Sequence, residues 1–476
     1  MNNLVGREKE IDILQALFES KEAELVAIYG RRRIGKTFLI REVMNKAMTF
    51  EIVGEHKGAL KTQLTNFSRA LIQYGSSMAI TPPNSWSDAF FQLSKHLEFK
   101  ARTHNGKQVV FLDEFPWLNT PRSGFLSAFD HWWNSWGNKQ DYLIVVICGS
   151  AAAWMIRNIV YNRGGLHNRI TQRINLKPFT LGETEDFLRS RNIKLGHFQM
   201  AQIYMALGGI AAYLKLLKRG ESVAQAIDRL CFDPDGPLID EFQSLYQSLF
   251  EDSGKYIRVI KLLAKNTNGF SRSEIAKSLD MSSGGGLSVL LDELEASGFI
   301  ASYRPYHLKK ANNLYKVGDE FSLFYLKFME NKKHSGMESW HKIAATASWK
   351  SWSGLAFERV CLKHLHKIKE ALGLRAIQTN SSSWKSGNKE AEGAQIDLLI
   401  ERGDFVINLC EIKFSESVFT IDKKYANELR NKRARFIEES KTRKSVMIVM
   451  ITSFGVNHNE NYLELIQNEV KLEDLF

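Results

Sequence analysis

The chain has 476 residues, too many for one hydrophobic core, so about two to four domains are expected. Its 44% apolar and 25% charged residues are the proportions of a folded globular protein, and they exclude a wholly disordered or membrane-embedded chain. The net charge of +11 suits polyanionic partners such as nucleic acid, and it suits solubility equally well.

Met1-Asn2-Asn3 lacks the basic-then-apolar pattern of a secretory signal. The apolar run Tyr142 to Cys148 is far shorter than the roughly 20 residues a membrane helix needs. A cytoplasmic location without membrane contact is therefore expected. The four cysteines, at 148, 231, 361 and 410, show neither disulfide nor metal-ligand spacing and read as small buried hydrophobes.

In the first half, strand-like runs at 25–29, 49–53, 109–113 and 142–148 alternate with helical stretches. That alternation predicts a parallel sheet covered on both faces. The pattern turns helical from about Pro178 to Cys231, and Asp233-Pro234-Asp235-Gly236-Pro237 is the strongest boundary signal in the chain.

The first strand runs into Gly30-Arg31-Arg32-Arg33-Ile34-Gly35-Lys36-Thr37, a full match to G-x-x-x-x-G-K-S/T, with a helical run from Phe38 after it. Glycines let backbone N–H groups curl around phosphates, and the following helix N-terminus adds positive potential. ATP is the expected ligand, with Lys36 on the β and γ phosphates and Thr37 on Mg²⁺. The run 109–114 ends in two carboxylates, Asp113 for Mg²⁺ and Glu114 as the base polarising water. After the strand at 142–148, Ser150 either senses the γ-phosphate or merely makes a turn.

Leu4-Val5-Gly6-Arg7-Glu8-Lys9-Glu10 resembles the entry segment of AAA-type and related signal-transduction ATPases. Together with the phosphate loop, the run 112–117, Cys148-Gly149-Ser150 and the run 207–214, it resembles the archaeal-type ATPase family. Ala211 stands where that family usually has proline. Arg169 falls where relatives often carry an arginine; the resemblance implies transition-state neutralisation in cis or from a neighbouring subunit, with a plain surface arginine as the alternative. Self-association is a further implication.

In the middle, a helix at 256–264 precedes Ser271-Arg272-Ser273-Glu274, which reads as a capping box opening a second helix. A third helix spans 287–297 and stops at Gly298; runs 299–303 and 313–317 then read as a hairpin with Arg304, Lys309 and Lys310 between them. This is the order of a winged helix. Its third helix carries Asp292, Glu293 and Glu295 and no base-reading side chain early on, so protein packing competes with DNA binding. A polar stretch, 331–338, leads onward.

Farther on, 395–401 and 405–414 read as a hairpin around Arg402-Gly403-Asp404. A turn centred on Gly403 puts Asp397 opposite Leu409, with Asp397, Glu411 and Lys413 on one face and Ile396, Leu398, Cys410 and Ile412 on the other. Two carboxylates beside a lysine suit metal-assisted phosphodiester cleavage with Mg²⁺ or Mn²⁺. The pattern resembles the PD-(D/E)xK nuclease superfamily, with Ile396 in place of the common proline. The resemblance adds Glu358, in an upstream helix, as a third metal ligand. The helix at 422–439 carries Lys423, Lys424, Arg430, Lys432, Arg433 and Arg435, either a phosphate-facing surface or a solvated face.

The expected α/β architecture is a P-loop NTPase parallel sheet (1–177), a helical lid (178–232), a winged helix (233–335) and a restriction-endonuclease-like domain (345–476). The expected function is ATP-driven or ATP-gated action on DNA, with defence against foreign DNA as one setting. The alternative is a regulatory ATPase whose C-terminal domain only binds DNA or protein.

Overall fold

The computed structural model describes residues 4–76, 81–103, 105–160, 168–282, 284–306, 313–330, 340–386 and 394–476. Lys309, Lys310 and the polar stretch 331–338 lie outside the described residues. The chain divides into two compact units, one of residues 1–178 with 292–298, the other of 179–291 with 299–476.

The first unit is built on strands β1 (Glu24–Tyr29), β2 (Met48–Val53), β3 (Gln108–Asp113), β4 (Leu143–Gly149) and β5 (Gln172–Asn175). They form one sheet in the order β2-β3-β4-β1-β5, every pairing parallel. All residues of β3 and β4 are buried, because helices cover both faces of a parallel sheet, and this is why those strands read as unbroken apolar runs. The expected strands are present to within two residues at each end. Against one face packs an aromatic layer from helices Leu60–Gln73, Trp86–Thr103 and Phe125–Ser135. Phe90 and Trp132 stack at 5.2 Å, and the buried Trp132 indole N–H donates to Ser94 Oγ at 2.8 Å, so the ring is buried without an orphaned donor.

The second unit opens with helices Leu181–Ser190 and His197–Leu207. The first is fixed by a capping box in which Glu183 N–H donates to Thr180 Oγ1 and Thr180 N–H donates to Glu183 Oε2. Its N-terminus is also tied to a distant segment, since Leu181 N–H donates to His364 Nε2 at 2.9 Å while His364 Nδ1 lies 2.7 Å from the Val360 carbonyl. His364 must therefore be the neutral tautomer protonated at Nδ1, and burial pushes its pKa down to about 4.

Helix Ser253–Ala264, strand β6 (Phe270–Ser271), helices Arg272–Leu279 and Gly285–Ala296, and strands β7 (Ile300–Tyr303) and β8 (Leu314–Val317) follow. The three strands form an antiparallel sheet in the order β6-β8-β7. The Ser271 hydroxyl accepts from Glu274 N–H, so the capping box read from sequence forms, and Gly298 ends the third helix at φ 76°.

Helix Ala347–Lys363 leads into β9 (Thr379–Lys385), β10 (Gln395–Arg402), β11 (Val406–Lys413), helix Lys423–Ser440, β12 (Ser445–Thr452) and β13 (Ile466–Lys471). The sheet order is β13-β12-β11-β10-β9, with β9, β10 and β11 antiparallel and β11, β12 and β13 parallel. One expectation needs correction here. The hairpin pairs Leu399 with Leu409 and Leu398 with Cys410, which brings Asp397 level with Glu411 rather than Leu409. The loop is Gly403-Asp404-Phe405, centred one residue later than expected, with Phe405 in the left-handed region at φ 65°. Moving the centre by one shifts the register by two residues, and a two-residue shift keeps each side chain on its face.

Candidate functional sites

Lys36, Thr37, Asp113, Glu114 and Ser150 gather where β1, β3 and β4 end, at the carboxyl edge of the parallel sheet. The loop is shaped by backbone that only glycine takes cheaply. Gly30 sits at φ 147°, where a Cβ would lie 2.3 Å from the Leu176 carbonyl oxygen, and Gly35 at φ 97° turns the chain into helix Lys36–Met44. Ile34 anchors the loop in the core, Arg31 is buried, Arg32 is half-buried, and Arg33 and Phe38 are exposed.

Lys36 is buried, and its ammonium donates to the carbonyls of Gly30 (3.0 Å) and Arg31 (2.9 Å) across the loop. Thr37 Oγ1 donates to Asp113 Oδ2 at 2.7 Å, and Asp113 Oδ1 accepts the Glu114 N–H at 2.9 Å. Two hard oxygens in contact, one from the loop and one from a strand end, fit Mg²⁺ beside a nucleotide. Cys148, next to Asp113 across the sheet, is held as a thiol, burial pushing its pKa up and Asp113 adding to the effect.

Ser150 does something the sequence did not announce. Both its N–H (3.0 Å) and its hydroxyl (2.9 Å) donate to one oxygen of Glu114, whose backbone is left-handed at φ 44°. Arg169 is exposed, in the turn before β5.

The second constellation lies within the other unit. Asp397 sits at an irregularity of β10, where pairing with β9 passes from Ile396–Trp384 to Leu399–Ser382 and leaves Ser383 facing both Asp397 and Leu398. Gln395 Nε2 donates to Asp397 Oδ1 at 2.8 Å. Glu411, almost fully buried on β11, accepts from Lys432 Nζ at 2.9 and 3.0 Å and from the Tyr425 hydroxyl at 2.8 Å, with Lys413 Nζ 3.2 Å away. Burial pushes the Glu411 pKa up, but Lys432 and Lys413 more than offset this and hold it below the usual carboxylate range. Among the described residues Glu358 has no such cation partner at hydrogen-bond distance; burial, reinforced by Asp397, pushes it up to about 7.

Glu358, Asp397, Glu411 and Lys413 are thus close enough to interact, as the sequence suggested. Lys432 and Tyr425 were not expected in the site. Their signal is the helical spacing Tyr425, Leu429, Lys432, Phe436, one stripe that shares its face with buried apolar residues. The three carboxylates have the hard-oxygen chemistry of an Mg²⁺ or Mn²⁺ site, but the arrangement does not fit one. Glu411 already faces protein cations, and among the described residues no three His, Cys, Asp or Glu side chains converge on a common point.

Residues 4–217 match the family model of an ATPase domain predominantly from Archaea. The uncharacterized protein MJECL04 of Methanocaldococcus jannaschii is 24% identical over 381 residues, spanning 77% of this chain and 78% of that one. An uncharacterized ATP-binding protein of the same organism, MJ0423, is 40% identical over 40 residues, 8% of this chain and 68% of that one. The Walker-type ATPase PABY2304 of Pyrococcus abyssi superposes with a TM-score of 0.51 at 20% identity, over 68% of this chain and 96% of that one, a likeness of fold. Among the described residues no helix is long and apolar enough to cross a membrane.

Proposed function

We propose that this chain couples ATP turnover to action on DNA by its C-terminal domain, on the premise that residues 4–217, which match the model of an ATPase domain predominantly from Archaea, work as one. The observation that carries the first half is the convergence of Lys36, Thr37, Asp113 and Glu114 at one sheet edge. Lys36, now spent on two loop carbonyls, moves to the nucleotide's phosphates, and the loop N–H groups around Gly35 cradle them. Thr37 and Asp113 would hold Mg²⁺, which would supply positive charge against the phosphate oxygens. Glu114 accepts a proton from, and orients, the attacking water, with Ser150 fixing the direction of its carboxylate. Arg169, exposed in its turn, would neutralise transition-state charge in cis or in a neighbouring copy.

For the second half, the supporting observation is the grouping of Glu358, on helix Ala347–Lys363, with Asp397 of a bulged strand and Glu411 and Lys413 of its partner, in a chain of net charge +11. We read 345–476 as the nuclease-like domain, 178–232 as the lid and 233–335 as a winged helix used for packing rather than for base reading. A second reading, a regulatory ATPase with a non-catalytic C-terminal domain, is favoured by one observation: Glu411 is neutralised by Lys432 and Lys413. Supercoiled plasmid and linear DNA, incubated with Mg²⁺ or Mn²⁺ with and without ATP, separate the two. Cleavage by the wild type that disappears in Lys413→Ala supports the nuclease, and its change in Lys36→Ala reports ATP control. No cleavage under any nucleotide condition, with ATP turnover intact, transfers the assignment to the regulatory ATPase.

A further inference from the structure

One cavity belongs to neither site described above. It lies within the second unit, between helix Ser253–Ala264, the helical turn Tyr325–Met329 and helix Ala347–Lys363, and has a volume of about 520 Å³. That is the size of an ordinary small-molecule site. Part of its wall is apolar: Leu323, Leu326 and Leu355 line it beside Trp352. The Trp352 ring is held by Trp349 at 5.2 Å, Phe328 at 5.3 Å and Phe324 at 5.8 Å, so this wall is formed before any ligand arrives.

The rest of the wall is cationic. Lys261, Lys265, Lys327 and Arg359 line the cavity with Glu330, and Glu330 is taken by Lys261 at 2.5 Å. Among the described residues no carboxylate lies within ion-pair distance of Lys265, Lys327 or Arg359. The two lysines have ordinary explanations. Lys265 follows the last turn of helix Ser253–Ala264 and suits its negative end, and Lys327 is exposed to water. Arg359 has no such explanation. It sits well inside helix Ala347–Lys363, mostly buried, and among the described residues no acceptor lies within hydrogen-bonding distance of its guanidinium. Burial pushes its pKa down, opposed by Glu358 and by Glu320, which is itself paired with Lys363 at 2.5 Å. A guanidinium withdrawn from water that lines a cavity is stabilised by an anion placed there.

We propose that this cavity binds a nucleoside monophosphate, its phosphate held by Arg359, Lys265 and Lys327 and its base and sugar laid against the leucines. A phosphate monoester carries about 1.5–2 negative charges near neutral pH, against one for each phosphate of a DNA backbone, and so matches three unpaired cations better. Ser348 and Ser351, on the same wall, add hydroxyls that can donate to its oxygens. The apolar wall favours a phosphate with a ring body over inorganic phosphate. The site is separate from the phosphate loop, which lies in the other unit, and it stands whether or not the C-terminal domain cleaves DNA.

The test is calorimetric titration of the full chain with 5′-AMP, GMP, CMP and UMP in turn, which lack the β and γ phosphates expected on Lys36. At least one of them should bind as a single equivalent. Its affinity should fall at least about tenfold in Arg359→Met, and likewise in Lys265→Met combined with Lys327→Met, while staying within about twofold in Lys36→Ala. Without ligand, Arg359→Met should unfold in urea no earlier than wild type, since a buried charge without a close partner is removed. No binding by any of the nucleotides overturns the proposal, as does an affinity that Lys36→Ala abolishes and Arg359→Met leaves intact. Earlier unfolding of Arg359→Met with nucleotide affinity kept assigns the arginine to the fold and overturns it too. Inorganic phosphate bound as tightly as the best nucleotide means an adventitious ion only. Loss of single-stranded DNA affinity in these variants, with nucleotide affinity kept, makes the patch a backbone track and overturns the site. Should Arg359→Met fail to fold, the double variant at the exposed Lys265 and Lys327 decides by the same titrations.

Discussion

Replacing Ser150 by alanine removes one hydrogen bond from the carboxylate expected to handle water. In the structure Glu114 Oε2 accepts two donors from this one residue, the hydroxyl at 2.9 Å and the N–H at 3.0 Å. Ser150→Ala keeps the second and deletes the first. A hydrogen bond to a charged group contributes about 1.5–3 kcal/mol, and each 1.36 kcal/mol of lost transition-state stabilisation is about tenfold in rate. If the hydroxyl aims Glu114 and does nothing else, kcat for ATP falls about 10- to 100-fold while the affinities for ATP and ADP stay within about twofold. Phosphate-release kinetics and nucleotide calorimetry on the same preparation give both quantities. A selective loss of ATP affinity over ADP, with kcat unchanged, would mean that Ser150 touches the γ-phosphate instead. That result would refute the positioning role, as would a variant indistinguishable from wild type.

Two further expectations concern stability. His364 has an ordinary pKa near 6.5 in the unfolded chain and about 4 in the fold, so between those values the unfolded chain takes up a proton the fold excludes. The contribution is fully present above pH 6.5 and is lost as pH falls toward 4, by at most about 3 kcal/mol; urea midpoints of wild type and His364→Gln at pH 7 and 4.5 should show the steeper pH loss in wild type. Lys432→Met strips Glu411, which is only 4% exposed, of its closest cation, and should cost about 3 kcal/mol in thermal or urea unfolding. Adding Glu411→Gln should recover at least half of that loss, and no recovery would mean that Lys432 stabilises by packing alone.

The phosphate loop was legible because its glycines are demanded by local backbone geometry, at Gly30 and Gly35, and because β3 and β4 are apolar throughout, as strands buried on both faces must be. The capping box at Ser271 was equally local. The hairpin register was missed by two residues because Phe405 takes a left-handed conformation that the sequence led one to assign near Gly403. Lys432 hid among six basic residues of one helix, and only its spacing from Leu429 and Phe436 distinguishes the inward cation from the solvated ones. Contacts made at long range had no local signature at all. Nothing near Pro305 announces Ser383, and nothing near Leu181 announces His364, 183 residues away. Ser150 stood out at a strand end, but its Glu114 partner had no local signature, because a strand-end serine reads the same whether it faces a phosphate or a carboxylate.

The most direct test of the account is steady-state ATP hydrolysis by the full chain in Mg²⁺, wild type against Lys36→Ala. The ammonium now bound to the carbonyls of Gly30 and Arg31 is the group expected on the phosphates, so turnover should fall at least about 100-fold in the variant, with folding unchanged by circular dichroism. Equal turnover in the two proteins, or none in the wild type, would contradict the claim that this loop is where ATP is hydrolysed.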